Sequence, residues 1–111
     1  MDAESAVDLD LALRALADEN RRAILRVIRS DPQPVGVIAD DVGLSQQTTS
    51  HHLGVLRKAG IAVGTRDGTR HLFAVDTNGL AAVRSYLDDF WPTKLSALKA
   101  AVEAEEPNSH G

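Results

Sequence analysis

Residues 44–60, the most informative segment of the sequence, read Leu-Ser-Gln-Gln-Thr-Thr-Ser-His-His-Leu-Gly-Val-Leu-Arg-Lys-Ala-Gly. This segment predicts a helix from Gln46 to Ala59, because Ser45 is a favoured N-terminal cap and Gly60 a favoured stop. At about 100° per residue, one side of this helix, about 140° wide, carries no apolar side chain. It consists of Gln46, Gln47, Ser50, His51, Gly54, Arg57 and Lys58. The other side holds Thr49, His52, Leu53, Leu56 and Ala59, which we expect to pack on neighbouring helices.

The polar side of this helix has the composition of a DNA-reading surface. The run from Gln46 to His52 contains no acid, whereas solvated helix faces usually favour glutamate and lysine. Glutamine bonds adenine, serine and threonine bond bases or phosphates, and arginine and lysine bond phosphate or guanine. The N-terminal end of such a helix enters the major groove. We therefore expect DNA contacts from Ser45, Gln46, Gln47, Thr48, Ser50, His51, Arg57 and Lys58.

The sequence before this helix predicts three further helices. Apolar residues recurring every three or four positions predict helices at residues 5–17 and 19–30, the second capped by Asp18. The prolines of Asp31-Pro32-Gln33-Pro34 stop the second helix. A short third helix, residues 35–42, ends at Gly43.

The sequence after this helix predicts a hairpin and a final helical region. Strand-like runs at residues 61–65 and 70–75 flank Arg66-Asp67-Gly68-Thr69, and Asp-Gly is typical of a type I′ turn, with positive φ at both central residues. Arg66 and Arg70, with His71 beside them, are suited to contact phosphate or the minor groove. Residues 78–105 read as helical, interrupted or kinked at Pro92. This order predicts a mostly α fold with a β-hairpin wing, a winged helix-turn-helix.

The charges are segregated along the chain. The 111 residues carry 12 Lys and Arg against 16 Asp and Glu, a net charge of -4. Residues 1–20 have one base and six acids (-5), residues 21–75 eight bases and four acids (+4), and residues 76–111 three bases and six acids (-3). A basic middle between acidic ends suits a polyanionic partner. The length suits one domain, expected at residues 5–105, with a disordered tail at 106–111.

Other function classes find little support in the sequence. The chain has no cysteine, which excludes disulfides, thiolate metal sites and a cysteine nucleophile. No apolar run approaches the roughly 20 residues of a membrane span, and the acidic start is unlike a signal peptide, so we expect a cytoplasmic protein. Neighbouring polar residues such as Ser50 and His51 diverge on a helix, so we expect no enzyme and no cofactor. His51 and His52 diverge likewise, which argues against a metal site there and leaves open a weak site using His51, His71 or His110.

Three segments resemble one family of bacterial repressors. Residues 16–25, Leu-Ala-Asp-Glu-Asn-Arg-Arg-Ala-Ile-Leu, resemble the opening of the ArsR-type (ArsR/SmtB) winged-helix regulators. Residues 44–60 are similar to their recognition helix, and residues 66–70 lie where their wing does. The resemblance covers residues 10–100. It implies a homodimer built from the first and last helices that binds a near-palindromic operator, with Phe90 and Trp91 packed in the dimer.

The sequence departs from the family pattern in several places. Glu19 stands where the family often has proline, and Thr49 where it often has an apolar residue. Pro34 and Gly36 occupy the positions of the cysteine pair with which many members bind metal. The last helix offers Asp88 and Asp89 but no histidine. The family's metal sites are therefore not carried over, and the chain resembles members without metal cysteines.

Together these observations predict a sequence-specific DNA-binding transcriptional regulator, a homodimer that acts most simply as a repressor. One alternative is a nickel- or zinc-responsive regulator that uses a different metal site or a partner protein. Another is a protein-interaction module that has kept the fold and lost affinity for DNA.

Overall fold

The computed structural model describes residues 8–91 and 99–104, and five helices and three strands account for most of residues 8–91. In chain order the elements are α1 (Leu9–Leu16), α2 (Glu19–Ile28), β1 (Gln33–Pro34), α3 (Val35–Val42), α4 (Gln46–Lys58), β2 (Ala62–Asp67), β3 (Arg70–Val75) and α5 (Thr77–Asp88). Residues 99–104 are also helical. Within the described ranges, none of the helices has the length and apolar character needed to cross a membrane. The predicted winged helix-turn-helix is confirmed, with α3 and α4 as its two helices and β2–β3 as its wing.

Local capping defines the two central helices as the sequence predicts. Gly43 follows α3 in the left-handed conformation, at φ 74°, and its N–H donates to the carbonyl of Ala39. The Ser45 hydroxyl accepts from the N–H of Thr48 and so caps α4. Gly60, at φ 73°, ends α4, and the next N–H, that of Ile61, bonds the Leu56 carbonyl at 2.9 Å. These are the bonds of a Schellman motif, which glycine permits because it has no Cβ.

The outer helices are shorter than predicted. α1 begins at Leu9 because Asp8 is extended and its carboxylate accepts from the N–H groups of Asp10 and Leu11. α2, predicted for residues 19–30, ends at Ile28. α5 ends at Asp88, so the helical region predicted for residues 78–105 is interrupted before Pro92. Residues 5–7, Pro92 and the tail at 106–111 lie outside the described residues.

The sheet has one strand that the sequence did not predict. β1 pairs antiparallel with β3, Gln33 opposite Phe73, so the strand order is β1-β3-β2. The predicted type I′ turn is wrong. Asp67 is the last residue of β2 and pairs with Arg70, so the two loop residues are Gly68 and Thr69. Only Gly68 has positive φ (68°), which is the pattern of a type II′ turn.

The core lies between the inner face of α4 and the helices around it. Leu53 and Leu56 of α4 are buried with Ile24 and Ile28 of α2 and Ile38 of α3. Burying a leucine or isoleucine side chain stabilises the fold by roughly 1.5–3 kcal/mol. This packing fixes which side of α4 faces solvent.

α5 begins directly against the connection between α4 and β2. The Asp76 carboxylate caps α5, and the N–H of Gly79 donates to the carbonyl of Gly60 at 2.7 Å. A Cβ at Gly79 would collide with the carbonyl oxygen of Ala59 and lie 2.7 Å from Cγ1 of Ile61. Only glycine fits this approach.

Gly79→Ala is therefore expected to lower the free energy of unfolding by about 1–3 kcal/mol, the usual effect of overpacking. Gly54→Ala is the matched control, because a Cβ there meets nothing within 4 Å. In the middle of α4 it is expected to stabilise by about 0.5–1 kcal/mol through helix propensity. Urea unfolding followed by circular dichroism measures both variants, and equal effects would contradict this packing.

The buried side of α4 contains one hydroxyl without a partner. Thr49 is fully buried, and among the described residues its Oγ1 finds no hydrogen-bond partner. Thr49→Val is expected to raise the free energy of unfolding by about 1 kcal/mol, because it removes an unsatisfied polar group without changing the shape. Thr48→Val makes the same change at an exposed position whose hydroxyl accepts from Ser45, so no gain is expected there. A loss of stability in Thr49→Val would show that the hydroxyl is satisfied.

Candidate nucleic-acid interface

All ten residues expected from the sequence to contact DNA are exposed. Eight lie on or next to α4, namely Ser45, Gln46, Gln47, Thr48, Ser50, His51, Arg57 and Lys58, and two lie on the wing, namely Arg66 and Arg70. The opposite side of α4 is buried, as the helical wheel predicts. The exposed side therefore presents polar side chains without acids, which we call the α4 polar face (Gln46, Gln47, Ser50, His51, Gly54, Arg57 and Lys58), with Thr48 at its margin.

The side chains at the N-terminal end of α4 differ in their freedom. The Ser45 hydroxyl donates to Oγ1 of Thr48 and accepts from the Thr48 N–H, both at 3.0 Å. Its proton is therefore used within the cap, whereas the Thr48 hydroxyl proton is not used in that contact. The Gln46 amide lies back over α3, since a Cβ on Gly36 would be 3.4 Å from its Nε2. Gln47 is exposed as well.

A cleft of about 410 Å³ separates the C-terminal end of α4 from the wing. Arg57, Gly64, His71 and Asp76 are among the residues that line it. The His71 ring packs on Phe73, with ring centroids 4.6 Å apart, and lies over Gly64, where a Cβ would come 2.6 Å from its Nε2. The sequence placed His71 only beside the wing arginines. In the structure the His71 ring lies over Gly64 and lines the cleft between α4 and the wing, because Gly64 has no side chain to exclude it.

Beneath the α4 polar face, His52 is held by an arginine of α2. His52 is 9% exposed, and its Nδ1 lies 3.2 Å from Nη1 of Arg21. Burial lowers the pKa of His52, with a smaller opposing effect from the Asp18 carboxylate. Asp18 caps α2, and its bond from the Arg21 N–H lowers the pKa of that carboxyl. The sequence predicted His52 as a packing residue, which its burial confirms, but gave no signal of the Arg21 contact across 31 residues.

Two of the arginines in the basic middle bond backbone carbonyls at the end of α1. Arg21 donates to the carbonyls of Ala15 and Arg14, and Arg22 donates to the carbonyl of Leu16. They supply donors to carbonyls in the last turn of α1 and interact favourably with the negative end of that helix. Part of the positive charge of residues 21–75 is therefore directed at α1, whereas that of Arg57, Lys58, Arg66 and Arg70 lies on exposed parts of α4 and the wing.

The histidines that the structure describes, His51, His52 and His71, do not form a metal-binding cluster. Across residues 8–91 and 99–104, no three His, Asp or Glu side chains are grouped so that they could hold an ion. The rings of His51 and His52 are 5.6 Å apart but tilted by 56°, with one exposed and one buried. His110, named in the alternative metal site, lies outside the described residues.

Comparison with known proteins agrees with this geometry. Residues 16–65 match the family described as a helix-turn-helix domain. Over 96 residues the chain is 38% identical to the HTH-type transcriptional regulator Rv2034 of Mycobacterium tuberculosis, covering 86% of this chain and 90% of that one.

Two solved structures share the fold. A crystal structure described as a possible transcriptional regulator for arsenical resistance is 32% identical, with a TM-score of 0.65, over 81% of this chain and 94% of that one. The second is the winged helix-turn-helix domain of a possible ArsR-family regulator from Mycobacterium bovis, which is described as homodimeric. Its TM-score is 0.61 over 93% of this chain and 86% of that one. Because the two sequences are only 24% identical, this likeness supports the fold alone. With the helix-turn-helix, the wing and the relative from Mycobacterium tuberculosis in agreement, the chain belongs to the ArsR-type (ArsR/SmtB) family of winged helix-turn-helix transcriptional regulators.

Proposed function

We propose that this protein is a homodimeric, sequence-specific DNA-binding repressor. The observation that carries the proposal is the α4 polar face, which is exposed and free of acids while the opposite side of the same helix is buried. A rigid helix with such a face can enter the major groove, because the groove is wide enough for one helix. The proposal includes no catalytic step and places the protein in the cytoplasm with the DNA that it reads.

The residues of the interface have different roles in this proposal. Gln47 and Gln46, at the N-terminal end of α4, read base edges, with Thr48, Ser50 and His51 beside them. Arg57 and Lys58, in the last turn, contact phosphates. Arg66 and Arg70 on the wing contact the backbone or the minor groove next to the major groove that α4 occupies. Ser45 contributes chiefly by capping α4, since its hydroxyl is engaged with Thr48.

Exposed large apolar side chains on α1, on α5 and after α5 support the dimer, and we assign them to a dimer surface. The residues concerned are Leu11, Leu13, Tyr86, Leu87, Phe90, Trp91 and Val102. They belong to α1, α5 and the segments that follow α5, and α1 packs against α5. Phe90 and Trp91 are 63% and 59% exposed, and large aromatic side chains left so open are typical of a protein interface.

A dimer through this surface presents two copies of α4 to one DNA duplex. A two-fold dimer matches a near-palindromic operator. Both copies of α4 enter major grooves on one side of the duplex when the half-sites lie one helical turn, about 34–36 Å, apart. Bound over a promoter, the dimer would exclude RNA polymerase sterically.

Gln47 and Arg70 give a matched test of the interface. Gln47→Ala is expected to weaken binding to DNA from upstream of the protein's own gene by about 1–3 kcal/mol, with little effect on scrambled DNA, because it removes a base contact. Arg70→Ala is expected to weaken binding to both DNAs and to lower the salt slope by about 1, because it removes a phosphate contact. Fluorescence anisotropy across a salt series measures both effects. Two variants that bind like the parent would contradict the placement of the interface.

The dimer is tested by Phe90→Asp. A charge buried in the interface is expected to cost about 2 kcal/mol or more, which raises the dimer Kd about thirtyfold. Val37→Asp is the control, because Val37 is an exposed apolar residue of α3, outside the proposed dimer surface. Sedimentation velocity measures both variants, and equal self-association of Phe90→Asp and the parent would overturn this dimer surface.

A further inference from the structure

One guanidinium joins three helices behind the α4 polar face. Arg21 belongs to α2, its Nε donates to the Ala15 carbonyl at 2.8 Å, and its Nη2 donates to the Arg14 carbonyl at 3.1 Å. Both carbonyls belong to the last turn of α1. The remaining Nη1 meets Nδ1 of His52, on the buried side of α4, at 3.2 Å. A single side chain therefore links the end of α1 to the helix that carries the polar face.

The chemistry of this contact fixes the protonation state of His52. Arginine can only donate, so Nδ1 of His52 must accept. The ring is then neutral, with its proton on Nε2. A second proton on the ring would turn Nδ1 into a donor and place two cations within hydrogen-bond distance at a nearly buried site. Protonation and the Arg21 contact therefore exclude one another.

The surroundings of His52 resist protonation without forbidding it. Burial has the largest effect and lowers the pKa of His52 from its ordinary 6.5. The Asp18 carboxylate opposes this shift because it favours the charged ring, whereas Arg21 and His51 lower the pKa further. Asp18 is also committed to the N–H groups of Asn20 and Arg21. α1 supplies two carbonyls to this cluster. The other charged side chains of the elements packed on α4 are exposed, namely Asp10, Arg14, Glu19, Arg22, Arg26, Asp40, Asp41, Arg66 and Asp67.

We propose that Arg21 and His52 are positioning residues, whose contact seats α4 against the end of α1, and that proton uptake by His52 releases this contact and weakens DNA binding by the α4 polar face. The inference rests on the proposed DNA-binding function. His52 lies on the side of α4 opposite the polar face, so it acts through the orientation of the helix and not by touching DNA. Because α1 also carries part of the apolar surface assigned to the dimer, the same contact links dimer geometry to α4.

The sign of the pH effect follows from the lowered pKa. The unfolded chain binds this proton more tightly than the folded one, so stability is complete above pH 6.5 and falls as the pH drops below 6.5 toward the folded-state pKa. His52→Asn removes the titration while leaving an amide oxygen near the position of Nδ1 to accept from Arg21. Urea unfolding at several pH values is expected to show less loss of stability on acidification in His52→Asn than in the parent. An equal loss would overturn the proposal.

The decisive experiment compares the DNA affinity of the parent and of His52→Asn from about pH 8 to about pH 5, the range in which histidines titrate. The probe is a labelled fragment from upstream of the protein's own gene. His51 and His71 are present in both proteins, so the ratio of the two Kd values at each pH cancels their effects. The parent is expected to lose affinity relative to His52→Asn by about fivefold on acidification, the lower end of typical coupling between sites.

The outcomes separate this inference from the proposed function. A constant Kd ratio, with sequence-dependent binding intact, overturns the positioning role alone. Failure of both proteins to distinguish the upstream fragment from scrambled DNA at every pH overturns the proposed function and this inference with it. Nitrogen-15 NMR of the parent's imidazoles gives a check that needs no variant. At pH 7.5 it is expected to show His52 as the neutral Nε2–H form, and a proton on Nδ1 would overturn the contact.

Discussion

The arrangement of this protein depends on burying one side of α4. Leu53 and Leu56 are 1% and 0% exposed, and they pack with isoleucines of α2 and α3. A helix buried on one side cannot turn far about its axis without exposing apolar side chains, so its polar side faces solvent. The wing is held to the same helix, because β2 begins at Ala62, two residues after Gly60, and packs on α4. The spacing of the proposed base and phosphate contacts is therefore a consequence of the core.

Arg21 adds a polar contact to this apolar one. Apolar packing tolerates small rotations, whereas a hydrogen bond to a buried imidazole requires a defined distance and direction. Arg21 meets that requirement while it also caps α1, so α1 and α4 cannot shift independently. The contact spans helices whose opposite faces have different tasks in the proposed function, one in the dimer and one on DNA. A ligand or partner at the dimer surface therefore affects the orientation of α4 through Arg21 only if it binds more tightly to one of two arrangements of α1 and α4.

Most features of the fold that depend on residues close in sequence were predicted correctly, whereas features that depend on residues far apart in sequence were missed. The bounds of α3 and the start of α4 depend on local signals, Gly43 and Ser45, and both were predicted correctly. β1 has two residues and exists only because it pairs with β3 some forty residues later, so no local pattern indicates it. The turn type was wrong because pairing, not the Asp-Gly dipeptide, sets which residues form the loop. The polar face was visible because helical periodicity is local, whereas the contact between Arg21 and His52 depends on tertiary packing.

The central claim is that the α4 polar face reads DNA sequence. Fluorescence anisotropy of the unaltered protein tests it most directly, with DNA from upstream of its own gene compared with a scrambled fragment over a salt series. If the α4 polar face reads base edges, the protein binds the upstream fragment more tightly than the scrambled one. Its affinity for DNA falls steeply as the salt concentration rises, because contacts with phosphates release counterions. Weak and equal binding to both fragments would contradict this claim and would favour a protein-interaction module on the same fold.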